Sequence, residues 1–292
     1  METPSQSVFM GTRDGQTPAG LSYAPIWNAI PILTGILDPL QGVLTHVWEI
    51  FRNPRIPECA DSPMRRRRGL VIIAGGIEGP SPYNHAMCMG MLRSRWRGAV
   101  VRFKWNGGIP FLRSARNLMS RAHHERQSDK LARMIVMQRI AEPDAPIHLI
   151  AQSGGCWIVI RALEKLPPGV LIQSAVLLCP SISPGCDTAT AAAKCTDRMV
   201  SMGSPGDFFF LGLGTLLFGT SDRVHTPAAG WVGWHHHPPG FIEARWHPAF
   251  LSHGYVGNHV STSQVCFIRD VIAPMLMKRP IHRTPVDPLS IA

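Results

Sequence analysis

Residues 147–166 constrain the fold of this chain more than any other stretch. Ile147-His148-Leu149-Ile150-Ala151 is a short apolar run, Gln152-Ser153-Gly154-Gly155 interrupts it, and an apolar pattern at helical spacing resumes from Cys156. A strand that ends on a serine and passes at once into a helix needs a tight turn, in which strand and helix approach closely. Only small residues fit two positions before and two positions after that serine. Ala151 and Gly155 occupy those places, and Gly154 adds backbone freedom. Ala151 stands where the strict G-x-S-x-G pattern has glycine, a sterically mild departure. The segment predicts a buried strand at 147–151 and a helix at 154–166, with the Ser153 hydroxyl lifted out of the sheet.

The rest of the chain continues that alternation. Apolar strands are predicted at 69–74, 99–105 and 170–179, with weaker candidates at 198–203 and 241–246. Helices are predicted at 84–95, 128–141 and 262–277. Strands alternating with helices imply a mostly parallel central sheet flanked by helices, an α/β class, and near-continuous apolar strands fit a sheet buried on both faces. With 292 residues, 45% of them hydrophobic and only 16% charged, the chain is ample for one folded α/β domain. We assign it to residues 61–292, preceded by an N-terminal apolar helical extension over 1–60.

The net charge of +10 includes the run Arg65-Arg66-Arg67-Arg68. Before a buried strand such a run reads as a solvated flank, and no nucleic-acid motif accompanies it, so no nucleic-acid partner is expected. The seven cysteines form no C-x-x-C pair, and several lie in apolar runs. That favours a reducing compartment, hence a cytoplasmic protein, over a disulfide framework. Residues 1–16 are polar and lack the layout of a signal peptide. The segment 23–51 is apolar, but Pro25, Pro31, Asp38, Pro39, His46 and Glu49 interrupt it, too often for a membrane span. Two short amphipathic helices, at 26–36 and 38–52, are expected instead. Trp27, Ile30, Leu33, Leu37 and their apolar neighbours must cover something. Packing on the main domain, as part of a lid near the site, is the first choice, and peripheral contact with a membrane surface the second.

A reactive serine needs a base, a group that orients the base, and donors for the developing oxyanion. The strand ending at Ala74 runs into Gly75-Gly76-Ile77, which points to the amide of Ile77 as one donor and that of Gly154 as the other. Asp207, just past the predicted strand at 198–203, is the favoured acid, with Asp222 its rival. The base belongs between the last strand and the last helix. His253 and His259 both satisfy that position, and His259, nearer the helix, is favoured. Metal sites are not expected. His235-His236-His237 has no Cys or carboxylate at ligand spacing, and His123-His124-Glu125 has Ser128 where H-E-x-x-H needs histidine. No phosphate or dinucleotide fingerprint is present, so no cofactor is expected.

Taken together, residues 72–81 (IIAGGIEGPS), 147–167, 176–187 (VLLCPSISPGCD), 201–223, 254–261 (GYVGNHVS) and 266–276 resemble the α/β-hydrolase superfamily, over roughly residues 69–280. More closely, they resemble bacterial α/β-hydrolase-like proteins of unassigned substrate. The resemblance implies an α/β-hydrolase fold, a Ser153–Asp207–His259 triad, a Gly-Ile oxyanion loop, and hydrolysis of an ester or similar small-molecule acyl compound. The phenylalanine-rich residues 208–218 read more readily as core or sheet edge than as pocket lining. With Trp231 and Trp234 nearby, they still favour a lipophilic acyl group. A non-catalytic binding protein on the same fold and an acyltransferase remain the alternatives at this point.

Overall fold

The computed structural model describes residues 29–38, 40, 44, 60–78, 81–106 and 120–277. Six strands, β1 (Leu70–Ala74), β2 (Ala99–Arg102), β3 (Ile147–Gln152), β4 (Ile172–Leu178), β5 (Cys195–Gly203) and β6 (Phe241–Arg245), form one sheet in the order β2-β1-β3-β4-β5-β6. Every pairing is parallel. Side chains alternate between the two faces, as the period of two requires. Leu70, Ile72, Leu149 and Ala151 join one apolar cluster, and Val71, Ile73, Ile150 and Val176 join the other.

Helices cover both faces. They are α1 (residues 29–38), α2 (Pro63–Arg67), α3 (Pro82–Arg93), α4 (Arg121–Ala141) and α5 (Gly155–Glu164). Leu131 and Ile135 of α4 and Ile158 of α5 fill the first cluster. Met87 and Met91 of α3 fill the second, with Phe267 and Ile272 from the C-terminal helical segment. The chain adds β2 on one side of β1 and β3 on the other, so the sheet order reverses between β1 and β3. Ligands of open α/β sheets gather beyond the carboxyl ends of the strands at such a point.

Several elements differ from the sequence expectation for physical reasons. Helix α4 starts at Arg121 rather than 128, because Ser120 caps it by accepting the His123 N–H at 3.2 Å. That cap extends the helix through a polar first turn that carries no apolar period. The expected single helix at 262–277 is broken into a 3₁₀ turn (Val260–Ser263), an α turn (Val265–Phe267), a π turn (Ile268–Ile272) and a last α turn (Ala273–Leu276). Pro274, which has no amide to donate, sits in that last turn. Residues 208–218 are not sheet edge and are core only in part, through Leu211, which is buried with Cys179 and Ala228. They form a π segment (Phe209–Gly214) and an α turn (Thr215–Phe218), with Phe209, Leu213, Leu216, Leu217 and Phe218 exposed. Of the two expected N-terminal helices, the first is present as α1; most of the second, with Trp27 and Trp48, lies outside the described residues. The arginine run is stitched to the protein: Arg65 donates to the Gly98 carbonyl, Arg66 pairs with Asp61 at 2.6 Å, and Arg67 pairs with Glu142 at 3.6 Å. Among the described residues no helix is long and apolar enough to cross a membrane.

Candidate active site

The turn after β3 has the strain its sequence requires. Ser153 adopts φ +52°, in the left-handed region that a non-glycine residue enters at a cost. It is tied to the sheet on one side and to the following helix on the other. Its N–H donates to the Leu178 carbonyl at 2.9 Å, and its own carbonyl accepts the Cys156 N–H at 3.1 Å. A Cβ on Gly155 would overlap the carbonyls of Ala74 and Gly75 at the end of β1, so only glycine fits. Gly154 lies against Ile77: a Cβ there would stand 2.6 Å from Ile77 Cγ2. The loop after β1 is held from the far side. Trp105 Nε1 donates to the Gly75 carbonyl at 2.7 Å, and Asn106 Nδ2 donates to that of Gly76. Fixing the Gly76 carbonyl also fixes the plane of the peptide that carries the Ile77 N–H.

Asp207 follows β5 after the turn Ser204-Pro205-Gly206 and is wholly buried. Its Oδ2 lies 2.6 Å from Nδ1 of His259, in the loop that follows β6. His259 is itself buried, and its carbonyl accepts from Gln152 Nε2 at 3.3 Å, which ties the histidine loop to the residue just before Ser153. Beyond the carboxyl ends of the strands the chain thus carries a strained serine after β3, and joins a buried carboxylate after β5 to a histidine after β6. The fold is that of the α/β-hydrolases.

No protein-family model matches the chain, and no curated protein sequence matches it. Among solved structures the chain is similar to lipase B of Aspergillus fumigatus, at 10% identity and a TM-score of 0.49, over 78% of this chain and 57% of that one. It is also similar to a cutinase-like protein from Cryptococcus sp., at 13% identity and a TM-score of 0.39, over 73% of this chain and 96% of that one. For the NocB thioesterase domain the figures are 11% and 0.37, over 72% and 97%. At such distance these likenesses say nothing about substrate or reaction.

The electrostatics centre on the imidazole. Burial disfavours its charged form, but the Asp207 carboxylate, then Asp38 and Glu78, outweigh burial and push His259 up to about 9. Phe210 lies against the ring, with centroids 5.1 Å apart. The Cys179 sulfur, Asp207 and His259 lie within 4.8 Å of one another, a spacing that a metal could bridge. Burial, reinforced by Asp207, pushes the Cys179 thiol well up, so it stays protonated, and His259 Nδ1 is engaged with Asp207. The donor set fits a hydrogen-bonded acid–base pair better than a metal centre.

The two alternates lie elsewhere. Asp222 accepts the Ser183 N–H at 2.9 Å and also the Ser183 hydroxyl, a structural role. His253 is buried beside Asp270, with Nδ1 3.7 Å from Oδ2. The metal-like histidine runs are likewise occupied: His123 Nε2 sits 2.7 Å from the Trp105 carbonyl, and His237 pairs with Glu243 at 2.8 Å. Sequence reasoning gave Asp38 no chemical role, although it lies at this site. Its only signal was a carboxylate inside an apolar stretch.

Proposed function

We propose that this protein is a serine hydrolase that cleaves a carboxylic ester or similar acyl compound, with a lipophilic acyl group preferred. The observation that carries the reading is the buried Asp207–His259 hydrogen bond of 2.6 Å, on a loop whose His259 carbonyl accepts from Gln152 at 3.3 Å, next in sequence to a serine held at φ +52°. Ser153 Oγ attacks the acyl carbonyl while His259 Nε2, in the neutral ring that predominates above about pH 9, takes its proton. Asp207, at Nδ1, holds the ring in the tautomer that leaves Nε2 open and stabilises the imidazolium that forms. The oxyanion is met by the amides of Ile77 and Gly154, each worth about 2.7–4 kcal/mol of barrier. Collapse of the tetrahedral intermediate expels the alcohol, which takes the proton back from His259. A water, deprotonated by His259, then attacks the acyl-enzyme. The second collapse releases the carboxylic acid and returns the proton to Ser153. Phe210 against the imidazole, and the exposed apolar residues of 209–218 beside it, support a lipophilic acyl chain over a charged one.

The test is labelling with a fluorophosphonate and turnover of a chromogenic ester series. Wild type labels and turns over. Ser153→Ala and His259→Ala lose at least about 10³-fold in turnover. His253→Ala, whose side chain pairs with Asp270 away from the serine, keeps labelling. Equal labelling of wild type and Ser153→Ala would overturn the reading, and loss of activity in His253→Ala alone would move the base to that residue.

A further inference from the structure

The chemistry above makes no use of α1, yet that helix reaches the centre of the site. Pro31, Gly35 and Asp38 face inward and are buried. A Cβ on Gly35 would overlap the Gly206 carbonyl, next to Asp207, and Gly257 packs against Pro31 with φ +92°. Thr34 Oγ1 lies 3.1 Å from the Val256 carbonyl and shares its one proton with the carbonyls of Ile30 at 2.9 Å and Pro31 at 3.1 Å. One turn later the wholly buried Asp38 accepts, at Oδ2, the main-chain N–H of His259 at 2.6 Å. Its other oxygen, Oδ1, is buried and has no partner among the described residues. A carboxylate is expensive to bury, and apolar residues would cover the same surface without that cost. Here it lies on the main chain of the one residue whose placement decides the chemistry. The two loops that α1 bridges carry Asp207 and His259, and the bond to His259 spans 221 residues of sequence.

We propose that Asp38 is a positioning residue of the active site: by accepting the His259 main-chain N–H it fixes the loop that carries the base, and it makes the N-terminal helix a required part of that site. This rests on the hydrolase reading. Four elements bring ionisable groups to the imidazole and its acid. Asp207 lies at Nδ1, Asp38 at the main-chain N–H, and Glu78 in the loop after β1. The Cys179 thiol, with the Tyr255 hydroxyl beside it, adjoins Asp207. Burial pushes Asp38 up to about 7, with His259 opposing and Asp207 adding. Above that pH its charge adds to that of Asp207 in favouring the imidazolium.

The test compares Asp38→Asn and Asp38→Ala in the full chain. Asparagine keeps an oxygen that can accept the His259 N–H but carries no charge, whereas alanine removes both. Rates are counted per fluorophosphonate-titrated site, so that unfolded protein drops out. Asp38→Ala is expected to lower kcat by about tenfold or more, since small misplacements of a reacting group cost that much, with KM little changed. Asp38→Asn recovers most of that loss. In both variants the acid limb of kcat/KM moves to lower pH. The His259 Nδ1 proton, followed downfield by proton NMR, titrates at lower pH in both than in wild type. A kcat per site and an acid limb unchanged in both variants would reduce Asp38 to a folding residue and overturn the proposal. If Asp38→Ala fails to fold, the Asp38→Asn profile decides alone. If wild type neither labels nor turns over, the hydrolase reading fails, and the NMR titration still judges Asp38: a midpoint that does not move refutes it, and one that moves down supports it.

Discussion

The turn that carries Ser153 and the helix that carries Asp38 meet the same site by opposite means. The turn belongs to the sheet. Its residues continue the β3–β4 ladder through the Ser153 N–H, and Gly155 is wedged on the carbonyl end of β1. Helix α1 touches the second apolar cluster through Ile30. It is joined to the site by Gly35 on Gly206, Thr34 on Val256 and Asp38 on His259. Its other face leaves Leu33 at 60% and Leu37 at 57% exposure. The difference separates two jobs. On the hydrolase reading, the sheet fixes where the reacting groups stand, and the helix clamps the loops that hold two of them. A clamp built from a few polar contacts opens more cheaply than a strand pairing breaks.

The sharpest way to break this comparison is to make one chemical change in each region. Gly155→Ala forces a methyl group into two backbone carbonyls of a central strand, and a loss of about 3 kcal/mol is expected. At this chain length that lowers the melting temperature by roughly 6–12 °C, read by circular dichroism. Gly35→Ala adds the same methyl against the Gly206 carbonyl. There the helix can lift away, so the melting temperature falls much less, while hydrogen exchange over residues 29–38 accelerates. Equal melting losses in the two variants would merge the helix into the cooperative core and end the distinction.

The next effect is smaller and depends on pH. Native Asp38 holds its proton to about pH 7, while its ordinary value is 3.8. Between those values the native state binds more protons than the unfolded chain, so this group lowers stability as pH rises through that window. The slope from one group cannot exceed about 1.4 kcal/mol per pH unit. Asp38→Asn removes it. The variant should therefore gain on wild type as pH rises from about 4 to about 7, measured as the difference in chemical-denaturation free energies. A difference that stays flat across the window would mean that Asp38 is solvated in solution, and hence that α1 is not docked as described.

These contrasts also explain what the sequence could and could not reveal. The turn was legible because its code is local: Ala151, Ser153 and Gly155 state a steric demand within five residues. The parallel sheet was legible because strands buried on both faces are apolar throughout. His259 and His253 were ranked only by nearness to the last helix. It is the fold that sets one on Asp207 and the other beside Asp270. Asp222 stood in the sequence as the rival to the favoured Asp207, and it is the fold that sets Ser183 on both of its oxygens. Residues 208–218 looked like core because hydropathy does not report which side of a helix meets water. Asp38 read as an interruption of an apolar segment, because its partner lies 221 residues away.

The smallest effect concerns the outer face of α1 and sharpens the comparison within the helix itself. If the helix is held only through Ile30, Pro31, Thr34, Gly35 and Asp38, its outward side chains contribute little. Leu33→Lys and Leu37→Lys, at positions more than half exposed, should each change unfolding free energy by no more than about 0.5 kcal/mol. Turnover of a soluble short-chain ester should be unaffected by either change. A loss of about 1.5 kcal/mol or more, the value of burying such a side chain, would mean that this face is covered in solution and that the helix is clamped from both sides. Cosedimentation with anionic vesicles adds the second arm. Unchanged stability with weakened vesicle binding in the lysine variants would give the outer face a membrane-contact role while leaving the inner face to hold the base. Lysine adds positive charge, which by itself strengthens attraction to anionic lipid by about 1 kcal/mol per residue. Weaker binding in these variants would therefore report lost apolar insertion and not an electrostatic change.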